Sequence, residues 1–129
     1  MRPKRKSISS ESLNLIGIPK KFHKANLKDI STKTESRKKL KAFVESYISD
    51  LENWQLEKGI FFFGSNGVGK TYLSSIILKQ AYICRYTCYR ITFANYSDLY
   101  TRVWSGRNLD EKTELEEKLY QYKGCEILV

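Results

Sequence analysis

A chain of 129 residues is near the usual size of one domain, and with 41% hydrophobic residues it can bury a core. Its longest apolar runs are only a few residues, so we expect neither a transmembrane helix nor a signal-peptide core. A formal charge of +9 makes nucleic acid or an acidic partner a natural candidate, with a solubilising surface as the alternative.

Cysteine usage bears on the compartment and on metal binding. Three cysteines without a repeating framework favour a reducing cytoplasm over a disulfide scaffold. Cys84 and Cys88 are close in sequence, but the chain has a single histidine, His23, and Cys125 is distant. We therefore expect small core residues rather than a zinc site.

The positive charge is concentrated in the first part of the chain. Residues 1–58 carry 14 Lys and Arg against 7 Asp and Glu, whereas residues 59–129 carry 9 against 7. Residues 1–17 begin with a basic cluster and continue with a serine-rich segment, which predicts a flexible basic arm.

Residues 18–58 predict a linker followed by a helix. Pro19 favours an extended backbone at Ile18, and Thr32-Lys33-Thr34-Glu35 has the spacing of a capping box. The helical stripe that follows is made of Leu40, Phe43, Val44, Tyr47, Ile48 and Leu51.

Residues 59–129 predict a partial P-loop core. Ile60-Phe61-Phe62-Phe63 is an uninterrupted apolar run between two glycines, typical of a strand buried on both faces of a parallel sheet. A helical stripe from Leu73 to Cys84 comes later. Between the two lies the phosphate-binding motif G-x-x-x-x-G-K-[ST], as Gly64-Ser65-Asn66-Gly67-Val68-Gly69-Lys70-Thr71.

Each fixed position of this motif has a chemical role. Glycines let the backbone turn its N–H groups toward phosphate oxygens, and a helix beginning near Lys70 directs the positive end of its dipole at the same anion. Lys70 can reach the β- and γ-phosphates, and the Thr71 hydroxyl can ligate Mg²⁺. The motif therefore predicts a site for ATP and Mg²⁺.

Two further strands are predicted after the loop helix. Residues 87–95 alternate in polarity, which predicts a strand parallel to the first through a right-handed crossover. Helices are expected around residues 99–104 and 110–122, and the apolar run 127–129 predicts a third strand. The acidic residues that hold Mg²⁺ in P-loop ATPases are expected after Val129, so we expect an incomplete C-terminal side.

From residue 18 to residue 129 the chain resembles the AAA+ helicase loaders of bacteria and phages, and the similar helper ATPases of insertion sequences. The resemblance rests on Ile18-Pro19-Lys20-Lys21-Phe22, the amphipathic helix ending near Trp54, residues 59–73 including Tyr72, and residues 93–103 with Ser97-Asp98-Leu99. It implies an α/β fold of the P-loop NTPase (AAA+) type. That fold is a three-layer αβα core with a parallel sheet, here C-terminally incomplete and preceded by the amphipathic helix.

The resemblance also implies a function. It indicates an ATPase that binds ATP, Mg²⁺ and single-stranded DNA and helps to place the replicative DNA helicase, with oligomers in the full-length form. It places Lys70 on phosphate, Thr71 on Mg²⁺, Tyr72 beside the loop, and Phe22 near the adenine. The family's acidic motif, sensors and arginine finger would lie after Val129, so no catalytic residue is assigned and little hydrolysis is expected.

Three alternatives stay open. A helper ATPase for a transposase would share the site and differ in partner. A non-enzymatic DNA- or protein-binding module would use only the basic half, and its DNA affinity would be indifferent to ATP. A small-molecule kinase is disfavoured, because Arg102 and Arg107 are the only candidates for its phosphate-clamping arginines.

Overall fold

A computed structural model describes residues 5–64, 69–105 and 109–129. Its helices are α1 (Ser10–Leu15), α2 (Glu35–Glu52), α3 (Lys70–Ile83), α4 (Phe93–Ser105) and α5 (Leu109–Gly124), and its strands are β1 (Cys88–Tyr89) and β2 (Ile127–Leu128). Single turns of 3-10 helix cover Lys20–Phe22 and Leu27–Asp29. None of the described helices combines the length and apolar character needed to cross a bilayer.

The two strands form a small parallel sheet. Cys88 lies opposite Ile127 and Tyr89 opposite Leu128. Two flanking backbone hydrogen bonds extend the ladder, because Val129 donates to Tyr89 at 2.9 Å and Ile91 donates to Val129 at 3.0 Å. Strands predicted within residues 87–95 and 127–129 therefore exist, but each is only two residues long.

The predicted three-layer αβα P-loop core is wrong. The described chain is mostly helical, at 62%, and its sheet has two strands, so there is no broad sheet for helices to cover on both faces. The predicted strand 60–63 has no regular secondary structure and pairs with no described strand. Ile60 and Phe62 pack against the core while Phe61 and Phe63 are exposed, so the run is buried on one side only.

A polar side chain also shortens the second predicted strand. Thr92 caps α4, since its hydroxyl accepts from the Asn95 amide at 3.2 Å and its carbonyl from the Tyr96 amide at 2.9 Å. This cap begins the helix at Phe93, within the span that alternation assigned to a strand. Local capping therefore overrides the alternating pattern.

The amphipathic helix is confirmed as α2. Its N-cap is Thr34, whose hydroxyl accepts from the Arg37 amide at 3.2 Å, rather than Thr32. Val44 and Leu51, from the predicted stripe, are fully buried against a core that also contains Leu78 of α3. Cys84 and Cys88 are buried in the same core, as expected.

Within the predicted N-terminal arm, the structure places α1. Ser9 and Ser12 form a reciprocal capping box at its start, and Leu13 is buried in the main core. After α1 the chain contacts the residue that follows β1, because the Arg90 amide donates to the Ile16 carbonyl at 2.7 Å. A second, smaller core of Leu99, Val103 and Leu119 joins α4 to α5.

Candidate phosphate-binding site

The start of α3 is the centre of the candidate site. Gly69 is the N-cap in a left-handed conformation, with φ of 97°, and its carbonyl accepts from the Leu73 amide at 2.9 Å. The amides from Gly69 to Tyr72 precede the first intrahelical donor, and no side chain caps them from the N-cap position. The first turn has no acidic residue, so this end of the helix offers donors and a positive dipole to an anion.

Lys70 joins the two ends of the glycine motif. Its ammonium group donates to the Gly64 carbonyl at 2.7 Å. Since an ammonium group has three donors, two can serve another acceptor. Gly64 has a φ of 149°, so glycines at both ends of the motif adopt positive φ. The predicted ligands Ser65, Asn66, Gly67 and Val68 lie outside the described residues.

Thr71, the predicted Mg²⁺ ligand, is the second residue of α3 and is half-buried. Among the described residues, no group of three His, Cys, Asp or Glu side chains could hold a metal ion. A magnesium ion bound with a nucleotide uses phosphate oxygens, water and one or two protein oxygens, so a single hydroxyl fits that donor set. Thr71 lies in the same turn of α3 as Lys70, as the motif predicts.

The structure brings Phe22 and Tyr72 together beside this turn. Their rings meet edge to face, with centroids 6.0 Å apart and planes at 81°. The Tyr72 hydroxyl accepts from the Asn26 amide at 3.1 Å and donates to the Asn26 carbonyl at 3.2 Å. The two predicted aromatic members of the site are therefore in contact, although they are far apart in sequence.

Lys79, further along α3, holds the segment of residues 23–26 in place. Its ammonium group donates to the carbonyls of His23 and Ala25, each at 2.7 Å. Partial burial lowers the pKa of Lys79, because an ammonium group is less well solvated there than in water. His23 makes one further link, a 2.9 Å hydrogen bond between its Nε2 and the Ile18 carbonyl.

Sequence reasoning missed Asn26 and Lys79. Asn26 bonds the Tyr72 hydroxyl through its own backbone, and Lys79 bonds the backbone carbonyls of His23 and Ala25. Bonds between a side chain and a distant backbone group leave no spacing signature in the sequence. Comparison with known proteins adds no relative, because no family model, curated protein or solved structure matches the chain. The case for a ligand therefore depends on the motif and on the geometry around Lys70.

Proposed function

We propose that the protein binds the phosphate groups of ATP, together with Mg²⁺, at the N-terminus of α3. The observation that carries the proposal is the coincidence of the motif with the helix start. Gly69 turns the chain with a positive φ, α3 begins at Lys70, and the Lys70 ammonium group lies at the Gly64 carbonyl. Free amides, a helix dipole and a lysine thus converge at one point, which is the arrangement that binds phosphate.

Different parts of the site would serve different parts of the nucleotide. Lys70 and the amides of the first turn would hold the phosphate oxygens, while the Thr71 hydroxyl would hold Mg²⁺. The ion, when bound, neutralises part of the phosphate charge. The Phe22–Tyr72 pair offers an aromatic surface for the base, and the Asn26 hydrogen bonds keep the Tyr72 ring in place.

The direct test is binding of Mg-ATP to the purified chain by titration calorimetry, with the variant Lys70→Ala. A charge-assisted hydrogen bond is worth about 1.5–3 kcal/mol, so we expect affinity to fall by about 10- to 100-fold. Lys112→Ala is the matched control, because it removes the same charge from α5. Equal affinity of Lys70→Ala and the unsubstituted chain would contradict the site, as would an equal loss in the control.

We further propose, from the resemblance to helicase loaders, that nucleotide binding serves the placement of a replicative DNA helicase on single-stranded DNA. The supporting feature is the basic first half of the chain. Arg37, Lys38 and Lys39 are exposed on the first turn and a half of α2, where a DNA backbone can reach them. Lys38 also forms a 3.5 Å ion pair with Glu35, which is itself exposed.

One experiment separates this role from that of a basic DNA-binding module. The affinity for a fluorescent single-stranded oligonucleotide is measured against salt, with and without Mg-ATP. The loader proposal predicts that ATP changes the DNA affinity and that Lys70→Ala abolishes the change. A steep salt dependence that is the same with and without ATP would instead favour the DNA-binding module. The exposed side chains of Arg37, Lys38 and Lys39 also support that module.

A further inference from the structure

Residues 59–64 form an apolar segment outside the described helices and strands, with one uncovered face. Ile60 and Phe62 pack against the main core, whereas Phe61 and Phe63 are 86% and 84% exposed. The two exposed rings stack on each other, with centroids 6.3 Å apart. Two such side chains present roughly 300–400 Å² of apolar surface, which is already the size of the largest patch on a typical monomer.

The backbone of the segment is also uncovered. No backbone hydrogen bond joins residues 59–63 to another described residue. At the two ends of the segment, backbone carbonyls accept from side chains instead. Tyr47 donates to the Lys58 carbonyl at 3.2 Å, and Lys70 donates to the Gly64 carbonyl. Side chains that alternate between core and solvent have the period of a strand. With unpaired amides and carbonyls, such a run offers an open edge, and open edges pair with other strands.

We propose that this segment pairs with the same segment of a second copy of the chain, as an antiparallel ladder about a two-fold axis. The exposure pattern favours one register. Residues directly opposite in an antiparallel pair share a face, and here Phe61 and Phe63 share the outer face while Ile60 and Phe62 share the inner one. A two-fold axis through any residue of the run keeps both faces matched, and an axis at Phe62 also places each exposed ring opposite the other exposed ring of the second copy.

In this register Phe61 lies opposite Phe63 of the second copy, and Phe62 lies opposite Phe62. The outer face then becomes a cluster of four phenylalanine rings. The run Phe61-Phe62-Phe63 is symmetric about Phe62, so around this axis it reads the same from either end. The same segment of a second copy can therefore pair with it, and no other partner sequence is needed.

Charge agrees with this occupant, and area sets the strength of the pairing. Residues 59–64 carry no charged side chain, which suits a neutral partner strand and offers nothing to a phosphate backbone. The four rings bury roughly 600–800 Å², short of the ~1,200–2,000 Å² of a stable interface. The dimer is consequently weak and depends on protein concentration.

Sedimentation velocity over a concentration series, without nucleotide, tests the pairing. The unsubstituted chain is expected to shift from monomer to dimer, and the double variant Phe61→Ser/Phe63→Ser to require at least ~10-fold higher concentration. Trp104→Ser/Tyr120→Ser is the matched control, because it removes two aromatic side chains that are 73% and 71% exposed. Circular dichroism melts check that each variant is folded.

Salt gives a second readout of the same experiment. Each copy carries a formal charge of +9, so salt should screen repulsion and strengthen the dimer. Association that is weakened by salt would overturn the proposal, since that behaviour belongs to binding between opposite charges. A monomer at every concentration would also overturn it.

Cysteine cross-linking tests the register itself. Opposite residues in an antiparallel pair have Cα atoms about 4.5–5.5 Å apart, within disulfide range, whereas diagonal residues are about 7–8 Å apart. A mixture of the Phe61→Cys and Phe63→Cys proteins should therefore cross-link at least ~10-fold more than either protein alone. The unsubstituted chain supplies the baseline for its native cysteines. Equal cross-linking in all three samples would overturn the register.

Discussion

Gly69 and Lys70 show how far a motif can be interpreted at the scale of single residues. The motif predicts a helix that begins near Lys70, and α3 begins at that residue. The motif also requires backbone conformations that favour glycine, and both Gly64 and Gly69 have positive φ. The bonds that fasten Tyr72 and Lys79 to residues 23–26 were not predictable, because they depend on which backbone segments meet in space.

The Tyr72 hydroxyl should stabilise the fold by holding the segment that contains Phe22. Tyr72→Phe removes both hydrogen bonds to Asn26 but keeps the ring contact, so we expect a loss of about 1 kcal/mol in the free energy of unfolding. Urea denaturation measures this loss. Tyr120→Phe, at an exposed position on α5, is the control and should change the free energy by only about 0.5 kcal/mol or less. A comparable loss in both variants would contradict the assigned role of the hydroxyl.

Buried thiols should make the fold sensitive to alkaline pH. Burial raises the pKa of Cys88 to about 12 from an ordinary 9.0, and burial also raises the pKa of Cys84 and of Tyr86. These groups hold their protons more tightly in the folded chain. Their contribution to stability is therefore complete below about pH 9 and is lost as the pH rises toward 12. Lys79 opposes this trend, because burial lowers its pKa.

We expect the urea midpoint to fall between about pH 8 and about pH 10, with a smaller fall in the Cys88→Ala variant. The variant will be less stable at both pH values, because a buried side chain is removed. The quantity to compare is therefore the change in urea midpoint between the two pH values, in the variant and in the unsubstituted chain. A midpoint that does not move between the two pH values would rule out the linkage.

At the scale of elements, patterns of period 3.6 were more reliable than those of period 2. The stripe from Leu40 to Leu51 correctly predicted α2. The alternation in residues 87–95 predicted a strand of which only Cys88–Tyr89 forms, because the Thr92 cap starts a helix. Residues 60–63 have the composition of a buried strand, yet strand formation needs a partner edge, and composition cannot supply one.

The junction between α1 and β1 depends on Gly17. Its φ is 96°, and a Cβ atom there would overlap the carbonyl oxygen of Arg90, a backbone atom that cannot rotate away. Gly17→Ala should therefore destabilise the fold by about 2 kcal/mol or more, through left-handed strain and this overlap. Gly124→Ala is the matched control, because a Cβ atom there meets nothing within 4 Å. Equal thermal melting of the two variants would contradict the account of this junction.

At the scale of the whole molecule, the described chain has two cores rather than one sheet-centred core. The main core joins α1, α2, α3 and β1, while the smaller core lies between α4 and α5. The link between them includes Tyr89, which meets Tyr122 edge to face and accepts a 2.6 Å hydrogen bond from Gln121. The sequence predicts the order of most elements well, but the three-layer arrangement required pairing between strands that the described residues do not make.

The proposed phosphate site does not depend on the three-layer fold, because it is local to the start of α3. A helix N-terminus, a positive-φ glycine and a lysine are set by residues close together in sequence, so they do not require a broad sheet. Phosphate binding is therefore the central claim, and it can be examined amide by amide.

The most direct measurement is a nuclear magnetic resonance titration of the ¹⁵N-labelled chain with Mg-ATP. The account predicts the largest amide shifts at Gly69, Lys70, Thr71 and Tyr72, whose N–H groups precede the first intrahelical donor of α3. It also predicts that Lys70→Ala reduces these shifts at the same ATP concentration. Unmoved amides at the start of α3 under saturating Mg-ATP, or equal shifts in the Lys70→Ala variant, would contradict the account.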